Sequence, residues 1–485
     1  MKKSIKTLAL LLCLTTVMGF AGCGKKDTAS DAGADASDAS AVLIDDFDDD
    51  TVSTGDKTQS GSSTTGSGGT TGGNNNGGGT VVEKPVEMKG SDPFANIPKR
   101  LKGTTVTFAH FGDEGASEYE KVLKAFTKKT GIKYKLVSYN QAEYVAQVAK
   151  QIAAKSGPDI IICNDVFPSA LEIAQPLQGI IDLKDSFWDS NITNVCTVGG
   201  NTYFVNSLES VWENINSVFY NKTLFSNNGI TSPLDYYNSG KWTYENLKKC
   251  LESIKKLGYV GGCVDGQKLN AGLGNPIISY DTKTATFKAN TAEVLSVGYN
   301  FAATIYKEGL WNSTDWWGTF ANGNIGVFVS GLYGAKYNGF FKDMDDSAIG
   351  MVPMPTSYNG KECKPTGSIR AYGIAKGAKN PEGAAYLLRY YLDYKYYASA
   401  GAGVFKNKSL EKMTFDHIIP EVKKKGINFD FSGDPMTLAG NANIGMFMAD
   451  VTKADPAQVS GLLAGKQNVF NNAASKANDK IKAFR

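Results

Sequence analysis

The sequence predicts an α/β body divided into two lobes, preceded by a long segment without folding signals. Three observations predict this arrangement. Residues 101–485 are more than a single hydrophobic core usually supports. Strand-like and helix-like segments alternate from residue 104 onward, as in sheets built from βαβ units. Residues 24–100, by contrast, have almost no apolar side chains that would offset the entropy of ordering the chain.

The first 22 residues have the composition of a secretory signal. Three lysines precede an apolar run, Thr7–Phe20, which is shorter than the roughly 20 residues that a spanning helix needs. The run ends in FAGC at residues 20–23, which resembles the bacterial lipoprotein processing site. That resemblance implies that Cys23 becomes the lipid-modified N-terminus and holds the protein on the outer face of a cell membrane, extracellular or periplasmic. The alternative is an ordinary cut beside an incidental cysteine.

Residues 23–100 are predicted to form a lipid-anchored, disordered tether. Asp-Ala-Ser repeats are followed by IDDFDDD and then by GSSTTGSGGTTGGNNNGGG. Chains of this kind behave as flexible coils, with a root-mean-square reach of about 50 Å for this length. Such a reach lets a globular body move while it stays attached to a surface. We interpret the acidic run at 45–50 as solvated spacer rather than as a binding motif.

Charge and cysteine content exclude several kinds of partner. The net charge of the chain is +3 and the lysines of the body are scattered, so neither nucleic acid nor an anionic lipid surface is predicted as a partner. Five cysteines lie in the body, an odd and sparse set typical of buried thiols, with a Cys250–Cys263 bridge as the alternative. The chain has no CxxC spacing, and we expect no metal, no cofactor and a monomer.

Five elements open the body in a regular order. TTVTFAHF (104–111) is β-branched and aromatic, and EYEKVLKAFTKKTG (118–131) has apolar residues at helical spacing before a closing glycine. IKYKLVSY (132–139) alternates as a strand does, and AEYVAQVAKQIAAKSG (142–157) predicts a second helix. PDIIICND (158–165) is a continuous apolar strand of the kind that is buried on both faces. Strands that alternate with helices predict a parallel sheet with right-handed crossovers.

Polar residues follow the first and third of these strands. In open α/β sheets, ligands bind beyond the carboxyl ends of the strands. The sequence therefore predicts ligand-binding side chains at these two ends. They are His110, Asp113 and Glu114 after the first strand, and Asn164 and Asp165 after the third.

An aromatic cluster, WNSTDWWGTF, occupies residues 311–320. Trp311 follows a helix end and is interpreted as packing. Trp316 and Trp317 are adjacent, so at most one of them is expected to face a ligand. The buried strand IGVFVSG (325–331) ends just before Tyr333, which is the stronger candidate because it follows the carboxyl end of a strand. Its ring offers a π-face and a hydroxyl group.

Seven segments, in this order, resemble one protein family between about residues 103 and 395. They are SGPDIIICND followed by LEIAQPLQGIIDL, GNTYFVN (200–206), SVFYNKTLFSNNGI (217–230), GKWTYENL (240–247), FANGNIGVFVSGLY (320–333), IGMVPMP (349–355) and TGSIRAYGIAKGAKNPEGAAYLLRYYL (366–392). The chain resembles the carbohydrate-type family 1 of extracellular solute-binding proteins of ABC importers, the family that includes maltose-binding protein. In the last segment, Asn380 also fits a helix N-cap and Pro381 the first helical position.

The resemblance implies a two-lobe, periplasmic-binding-protein-like fold of type II, with a hinge and a ligand cleft between the lobes. The chain would cross between lobes near 207–212, near 371 and past about 425. Lobe 1 would comprise 101–211 plus about 372–425, and lobe 2 would comprise 212–371 plus about 426–485. Asn206 departs from the family pattern, which has proline at this position.

The resemblance also adds candidate ligand-binding residues. Tyr333 stands where the family places a sugar-stacking tryptophan, and Trp212, Glu213 and Asn214 lie at the first lobe crossing. Arg370 occupies a crossover where the family mostly has small or apolar residues. Its guanidinium group would either grip an anionic group of the ligand or pair with an acid such as Asp113 or Asp165. Two further polar residues, Asp265 and Asn270, are interpreted as part of a Gly-rich loop.

These observations predict a receptor that captures a solute, with a carbohydrate favoured, and hands it to the permease subunits of an ABC importer. A peptide, polyamine or organic anion is the alternative solute. No catalytic residue is predicted, because His110 and His417 are far apart and neither HExxH nor GxSxG is present. A surface glycosidase, which needs only two carboxylates, and an adhesin are the lesser alternatives.

Overall fold

A computed structural model describes residues 85–86, 88, 92–111, 116–211, 214–311, 320–332, 344–401, 407–439 and 444–485. Eight of the predicted site residues lie outside the described residues. They are Cys23, Asp113, Glu114, Trp212, Glu213, Trp316, Trp317 and Tyr333.

The described strands are given in chain order, and several of them are only two residues long. They are β1 (Thr105–Phe111), β2 (Lys133–Tyr139), β3 (Ile160–Asn164), β4 (Thr197–Val198), β5 (Asn201–Thr202), β6 (Asn216–Asn221), β7 (Val260–Cys263), β8 (Ile278–Asp281), β9 (Thr286–Ala289), β10 (Ile325–Gly331), β11 (Ile349–Pro353), β12 (Ser357–Tyr358), β13 (Lys361–Glu362), β14 (Thr366–Gly367), β15 (Arg370–Ile374) and β16 (Asn428–Phe429).

The described α-helices range from one turn to more than four turns. They are α1 (Ala116–Thr130), α2 (Tyr144–Ala153), α3 (Ser190–Val195), α4 (Leu208–Val211), α5 (Lys222–Asn227), α6 (Pro233–Asn238), α7 (Tyr244–Lys256), α8 (Gly266–Gly272), α9 (Ala292–Lys307), α10 (Pro381–Tyr391), α11 (Tyr394–Ser399), α12 (Lys408–Met413), α13 (Ile419–Lys425), α14 (Gly433–Leu438), α15 (Ile444–Lys453), α16 (Pro456–Gly465) and α17 (Gln467–Lys482). Within the described ranges, no helix has the length and apolar character needed to cross a membrane.

The first sheet has the order β15-β3-β1-β2, and β1 is parallel to both of its neighbours. The five elements predicted for the opening of the body are confirmed, although α2 ends at Ala153, four residues early. The parallel sheet predicted from the three opening strands is confirmed, and β15 adds a fourth strand that runs antiparallel to β3 with Arg370 opposite Asn164. This strand comes from a distant part of the chain, so no local crossover determines its direction.

The second sheet has the order β11-β6-β10-β7, in which β6 is antiparallel to both neighbours and β10 is parallel to β7. The predicted strand at 325–331 is confirmed, and all of its residues are buried. The predicted Gly-rich loop at 261–270 is wrong, because this segment contains the end of β7 and the helix α8. A Cβ on Gly262 would lie 2.6 Å from the backbone oxygen of Val327. These glycines therefore allow close packing between strands.

Three short segments run side by side between the two sheets. The first crossing segment contains Ile215, the second contains β14 and leads into β15, and the third contains β16. β14 pairs in parallel with β16, and Ile215 forms an antiparallel bridge to Gly367. A Cβ on Gly367 would lie 2.6 Å from the backbone oxygen of Asn214, so glycine lets the first and second segments approach. Together with the two separate sheets, this arrangement gives the α/β, two-lobed periplasmic-binding-protein-like fold that the sequence predicted.

The predicted boundary of the tether at residue 100 is wrong. The backbone N–H of Val86 donates to Ile180 O at 2.8 Å, and Val86 and Met88 are both buried. Phe94 packs edge-on against Tyr390 at a ring-centroid distance of 5.3 Å. Val86, Met88 and Phe94 pack into the hydrophobic core beside the first sheet, so the folded body includes residues that lie up to 15 positions before residue 101.

Two local predictions have clear outcomes. Asn380 is the N-cap of α10, because its Oδ1 accepts from the backbone N–H of Gly383 at 3.0 Å and Pro381 takes the first helical position. The alternative disulfide is absent, because Cys250 is a buried free thiol. Burial raises the pKa of this thiol to about 12.

Candidate functional site

Asn214 links three parts of the chain at the crossing between the sheets. Its Nδ2 donates to Asn164 Oδ1 at 3.2 Å and to Ser368 Oγ at 3.0 Å. Asn164 is the last residue of β3, and Ser368 lies in the second crossing segment. An amide has two N–H donors and one carbonyl acceptor, which suits a position where segments from three directions meet. The structure thus brings together two predicted site residues, Asn164 and Asn214.

A second amide holds the start of β15. Nδ2 of Asn206 donates to the carbonyl oxygen of Arg370 at 2.8 Å, and its Oδ1 accepts from the N–H of Ser207 at 2.8 Å. Its side chain is fully buried. Proline, the family residue at this position, has no side-chain donor. The departure from the family pattern was the signal for this residue, although it did not reveal its partner.

Arg370 lies beside an internal acid. Its Nε donates to the hydroxyl of Tyr372 at 3.1 Å, and its positive charge lowers the pKa of Asp165. The side chain is half-buried. The structure therefore places an internal carboxylate, that of Asp165, within electrostatic reach of Arg370, while a solute contact stays a prediction.

Asp165 follows β3 with a left-handed backbone, φ 54°. Its N–H donates to Ile369 O at 3.2 Å, which places it against the second crossing segment. Burial and the negative charge of Asp430 raise the pKa of the Asp165 carboxyl to about 7, against the opposing effect of Arg370. This carboxyl group is therefore close to half-protonated at neutral pH.

Asp430 was missed by the sequence reasoning. Its carboxylate accepts from Gln267 Nε2 and, at 2.9 Å, from the N–H of Ser432. The sequence signal for this residue was the segment FDFSGDP (429–435), which lies past the third expected crossing and combines two acids with a glycine. Asp430 opens onto a crevice. The crevice is lined by Asp165, Phe167, Ile369, Asp430, Phe431, Gly433 and Asp434.

His110 has a buried side chain, 4 % exposed, near the end of β1 and opposite Ser138 of β2. β1 is the neighbour of β3, so His110 lies in the same sheet as Asn164. A ligand contact of its imidazole stays a prediction.

Asp265 and Asn270 have structural roles that the predicted loop did not reveal. Asp265 is the N-cap of α8 and pairs with Lys268 Nζ at 2.7 Å. Burial disfavours its charge, but the ion pair and the amide hydrogen bonds prevail, so its pKa is lowered. Asn270 joins α8 to α9, because its Nδ2 donates to Leu295 O at 2.7 Å.

The described residues contain no cluster of three or more His, Cys, Asp or Glu side chains with the arrangement of a metal site. At the junction of the two sheets, the structure presents hydrogen-bonding side chains. Its planar side chains are two amides, a guanidinium group and carboxyl groups.

Two α/β sheets joined by three crossing segments, with polar side chains at the junction, define a two-lobed binding protein. A family model described as bacterial extracellular solute-binding protein matches residues 109–398, which is more than half of the chain. The chain belongs to this family of solute-binding proteins.

Solved structures show the same fold at low sequence identity. The GacH receptor of Streptomyces glaucescens, described in complex with acarbose, has a TM-score of 0.56 and 17% identity over 79% of this chain and 99% of its own. An extracellular solute-binding protein from Staphylococcus aureus, in complex with maltose, has a TM-score of 0.53 and 19% identity, over 79% of this chain and 99% of its own. The cyclic α-maltosyl-1,6-maltose binding protein from Arthrobacter globiformis has a TM-score of 0.55 and 15% identity, over 78% of this chain and 99% of its own. No curated protein sequence matches the chain.

Proposed function

We propose that this protein is a lipid-anchored receptor that captures a carbohydrate between its lobes and delivers it to an ABC importer. The observation that carries the choice of solute is the set of planar polar side chains at the junction, Asn164, Asp165, Asn214 and Arg370. Vicinal hydroxyl groups of a sugar pair with planar amides, carboxylates and guanidinium groups. An oligosaccharide or substituted sugar therefore suits this chemistry.

The structural relatives support the same choice. Three solved proteins of this fold are described with maltose, acarbose or a cyclic maltosyl sugar as the molecule they bind. In our proposal, Trp316, Trp317 and Tyr333 would add the aromatic surface on which the C–H faces of a sugar lie. The alternative is a cationic solute such as a polyamine, favoured by the three aspartates of the crevice.

Capture would occur by closure of the two lobes, lobe 1 at about 86–211 plus 372–425 and lobe 2 at 212–371 plus 426–485. A solute that contacts both lobes favours the closed form, since only that form makes both sets of contacts. The permease subunits would then recognise the closed body. This function requires no catalytic group.

Lipid attachment at Cys23 would keep the receptor at the outer face of the membrane, and the segment from 24 to about 85 would act as its tether. Metabolic labelling with a radioactive fatty acid tests this attachment. We expect label in the natural protein and none in Cys23→Ser. Equal label in both would contradict the anchor.

A thermal-shift screen of the purified protein tests the choice of solute. The panel contains maltotetraose, other neutral sugars, sugar acids, spermidine and short peptides. A ligand that binds only the folded form stabilises it by about 2.7 kcal/mol at 100 times its Kd, so the melting temperature rises. We expect a rise with an oligosaccharide or a substituted sugar. A rise with spermidine or a peptide and none with any saccharide would overturn the carbohydrate proposal.

A further inference from the structure

Two aspartates flank the second crossing segment. The N–H of Asp165 donates to Ile369 O at 3.2 Å, and the N–H of Asp430 donates to Gly367 O at 3.3 Å. Both residues line the same crevice. They are therefore held against the same segment between the two sheets, and both face the same crevice.

The two carboxyl groups belong to different halves of the molecule. Asp165 follows β3 of the first sheet, and the cation beside it, Arg370, begins β15 of the same sheet. The carboxylate of Asp430 accepts from Gln267 Nε2, and Gln267 lies in α8, which follows β7 of the second sheet. A change in the angle between the two halves would therefore change the separation of the pair.

The neighbouring chain segments are in tight contact at this point. A Cβ on Gly433 would lie 3.0 Å from the backbone oxygen of Asp165 and 3.3 Å from its Cβ. The N–H of Ser169 also donates to Asp434 Oδ2 at 2.6 Å. The loop after β3 thus rests against the start of α14, and a small shift there alters the contact.

The charges around Asp165 do not balance. Burial disfavours its ionised form most, the negative charge of Asp430 adds to this effect, and the positive charge of Arg370 opposes it. Asp434 lines the same crevice with a carboxyl whose pKa burial raises to about 6. The thiol of Cys163, on β3, has a pKa raised by burial and stays neutral. Among the described residues, Arg370 is the cation that acts on the pKa of Asp165.

The charges around Asp430 also disfavour its ionisation. Burial is the main cause of its raised pKa, and Asp265 at the start of α8 adds a negative charge, although hydrogen bonds from Gln267 and Ser432 oppose the shift. Asp265 is itself paired with Lys268. The phenol of Tyr299, on α9, senses the charge of Asp430 and has a raised pKa, chiefly through burial, so it stays neutral.

The outer charges near Asp434 belong to two other elements. Lys480 of α17 lowers the pKa of Asp434, and Glu172, in the 3₁₀ helix Ser169–Glu172, raises it. Lys480 and Glu172 form a partly exposed ion pair with each other at 2.5 Å. Their charges therefore largely cancel, and the cation that faces the Asp165–Asp430 pair directly is Arg370.

We propose that Asp165 and Asp430 form a proton-operated latch across the hinge. One bound proton lets the two chain segments stay together, and its loss pushes them apart. The inference goes beyond solute capture, because it requires no ligand.

The direction of the pH dependence follows from the raised pKa of the pair. A carboxyl group with a raised pKa favours the compact arrangement while it is protonated, and this contribution is lost as the pH rises through that pKa. For Asp165 that value is about 7. The hinge is therefore expected to be held together on the acid side of neutrality and loosened on the alkaline side.

Small-angle scattering of the full chain without ligand tests the latch, at about pH 6 and about pH 8.5, on either side of the transition. We expect a larger radius of gyration at the higher pH for the natural protein. Asp430→Asn removes the repulsion, so its radius is expected to change little. Asp450→Asn, an exposed aspartate on α15, is the matched control and should behave as the natural protein does.

A second measurement can be made on the natural protein alone, so it still tests the latch if Asp430→Asn fails to fold. In protein labelled with carboxyl-¹³C aspartate, one resonance is expected to titrate with a midpoint of about 7. In folded Asp430→Asn this midpoint should move toward the ordinary aspartate range. Absence of an aspartate resonance with a midpoint of about 7, apart from the one expected at about 6 for Asp434, would overturn the latch. Equal pH responses of the radius in the natural protein and Asp430→Asn would also overturn it. Neither measurement uses a solute, so the outcome is separate from that of the saccharide screen.

Discussion

At the residue scale, the junction is stabilised by side chains that bond in more than one direction. Asn214 donates to two oxygens from different segments, and Asn206 both donates to and accepts from the backbone. Buried backbone groups need partners, and the crossing segments have few strand neighbours to provide them. Amide side chains therefore supply hydrogen bonds that a sheet would otherwise supply.

Arg370 is the residue at which the proposed function is most directly tested. If its guanidinium group donates to the solute, Arg370→Ala should raise the Kd about 10- to 100-fold, because hydrogen bonds to charged groups contribute about 1.5–3 kcal/mol. Isothermal titration with the saccharide found in the screen measures this, and circular dichroism checks the fold. Arg100→Ala, which removes an exposed ion pair with Glu382, is the control. An unchanged Kd in Arg370→Ala would limit Arg370 to its internal partners.

At the element scale, the hinge consists of strands of two residues. β14 and β16 pair at only two positions, and Ile215 adds a single bridge. Such short pairs have few hydrogen bonds, so their close approach depends on residue size. Gly367 stands at the centre of this group and has neighbours on both sides.

Gly367→Ala should destabilise the protein by crowding the hinge. The added Cβ would lie 2.6 Å from Asn214 O, a distance at which the backbone must shift. Overpacking of this kind costs about 1–3 kcal/mol, so a drop of several degrees in the melting temperature is expected by differential scanning calorimetry. Gly179→Ala, where nothing lies within 4 Å of the new Cβ, is the control. If both variants melt at the same temperature, the hinge accommodates the added methyl group, contrary to our inference.

At the scale of the whole molecule, the folded body includes a strap that precedes the first strand. Val86, Met88 and Phe94 are buried against the first core. In the proposed receptor, this strap would link the tether, and with it the lipid anchor, directly to one lobe.

Two truncations separate the strap from the tether. Removal of residues 1–84 should leave the free energy of unfolding unchanged, because all three buried side chains remain. Removal of residues 1–100 should lower it by several kcal/mol, since each of these side chains contributes about 1.5–3 kcal/mol when fully buried. Urea unfolding followed by fluorescence measures the difference. Equal stability of the two shortened proteins would show that the strap contributes nothing to the body.

The local elements were predictable because their signals lie in adjacent residues. The strand at 105–111 and the helix at 116–130 have their own hydrophobic periodicity, and Asn380 precedes proline and glutamate at a helix start. Part of the site was predictable for the same reason, since Asn164 and Asp165 directly follow a buried strand. The strap was missed because its apolar residues are few and have no periodic pattern.

The amino-acid sequence by itself determined the α/β class, the order of the first elements and the family, because periodicity, capping residues and motif order are properties of neighbouring positions. Only the tertiary structure decided that β15 joins the first sheet antiparallel, that Asn206 holds the backbone of Arg370, and that Asp430 faces Asp165. Asp165 and Asp430 are 265 positions apart, and no local pattern relates them. Their proximity arises from the packing of three distant segments at one hinge, where burial and like charge together shift their proton affinity.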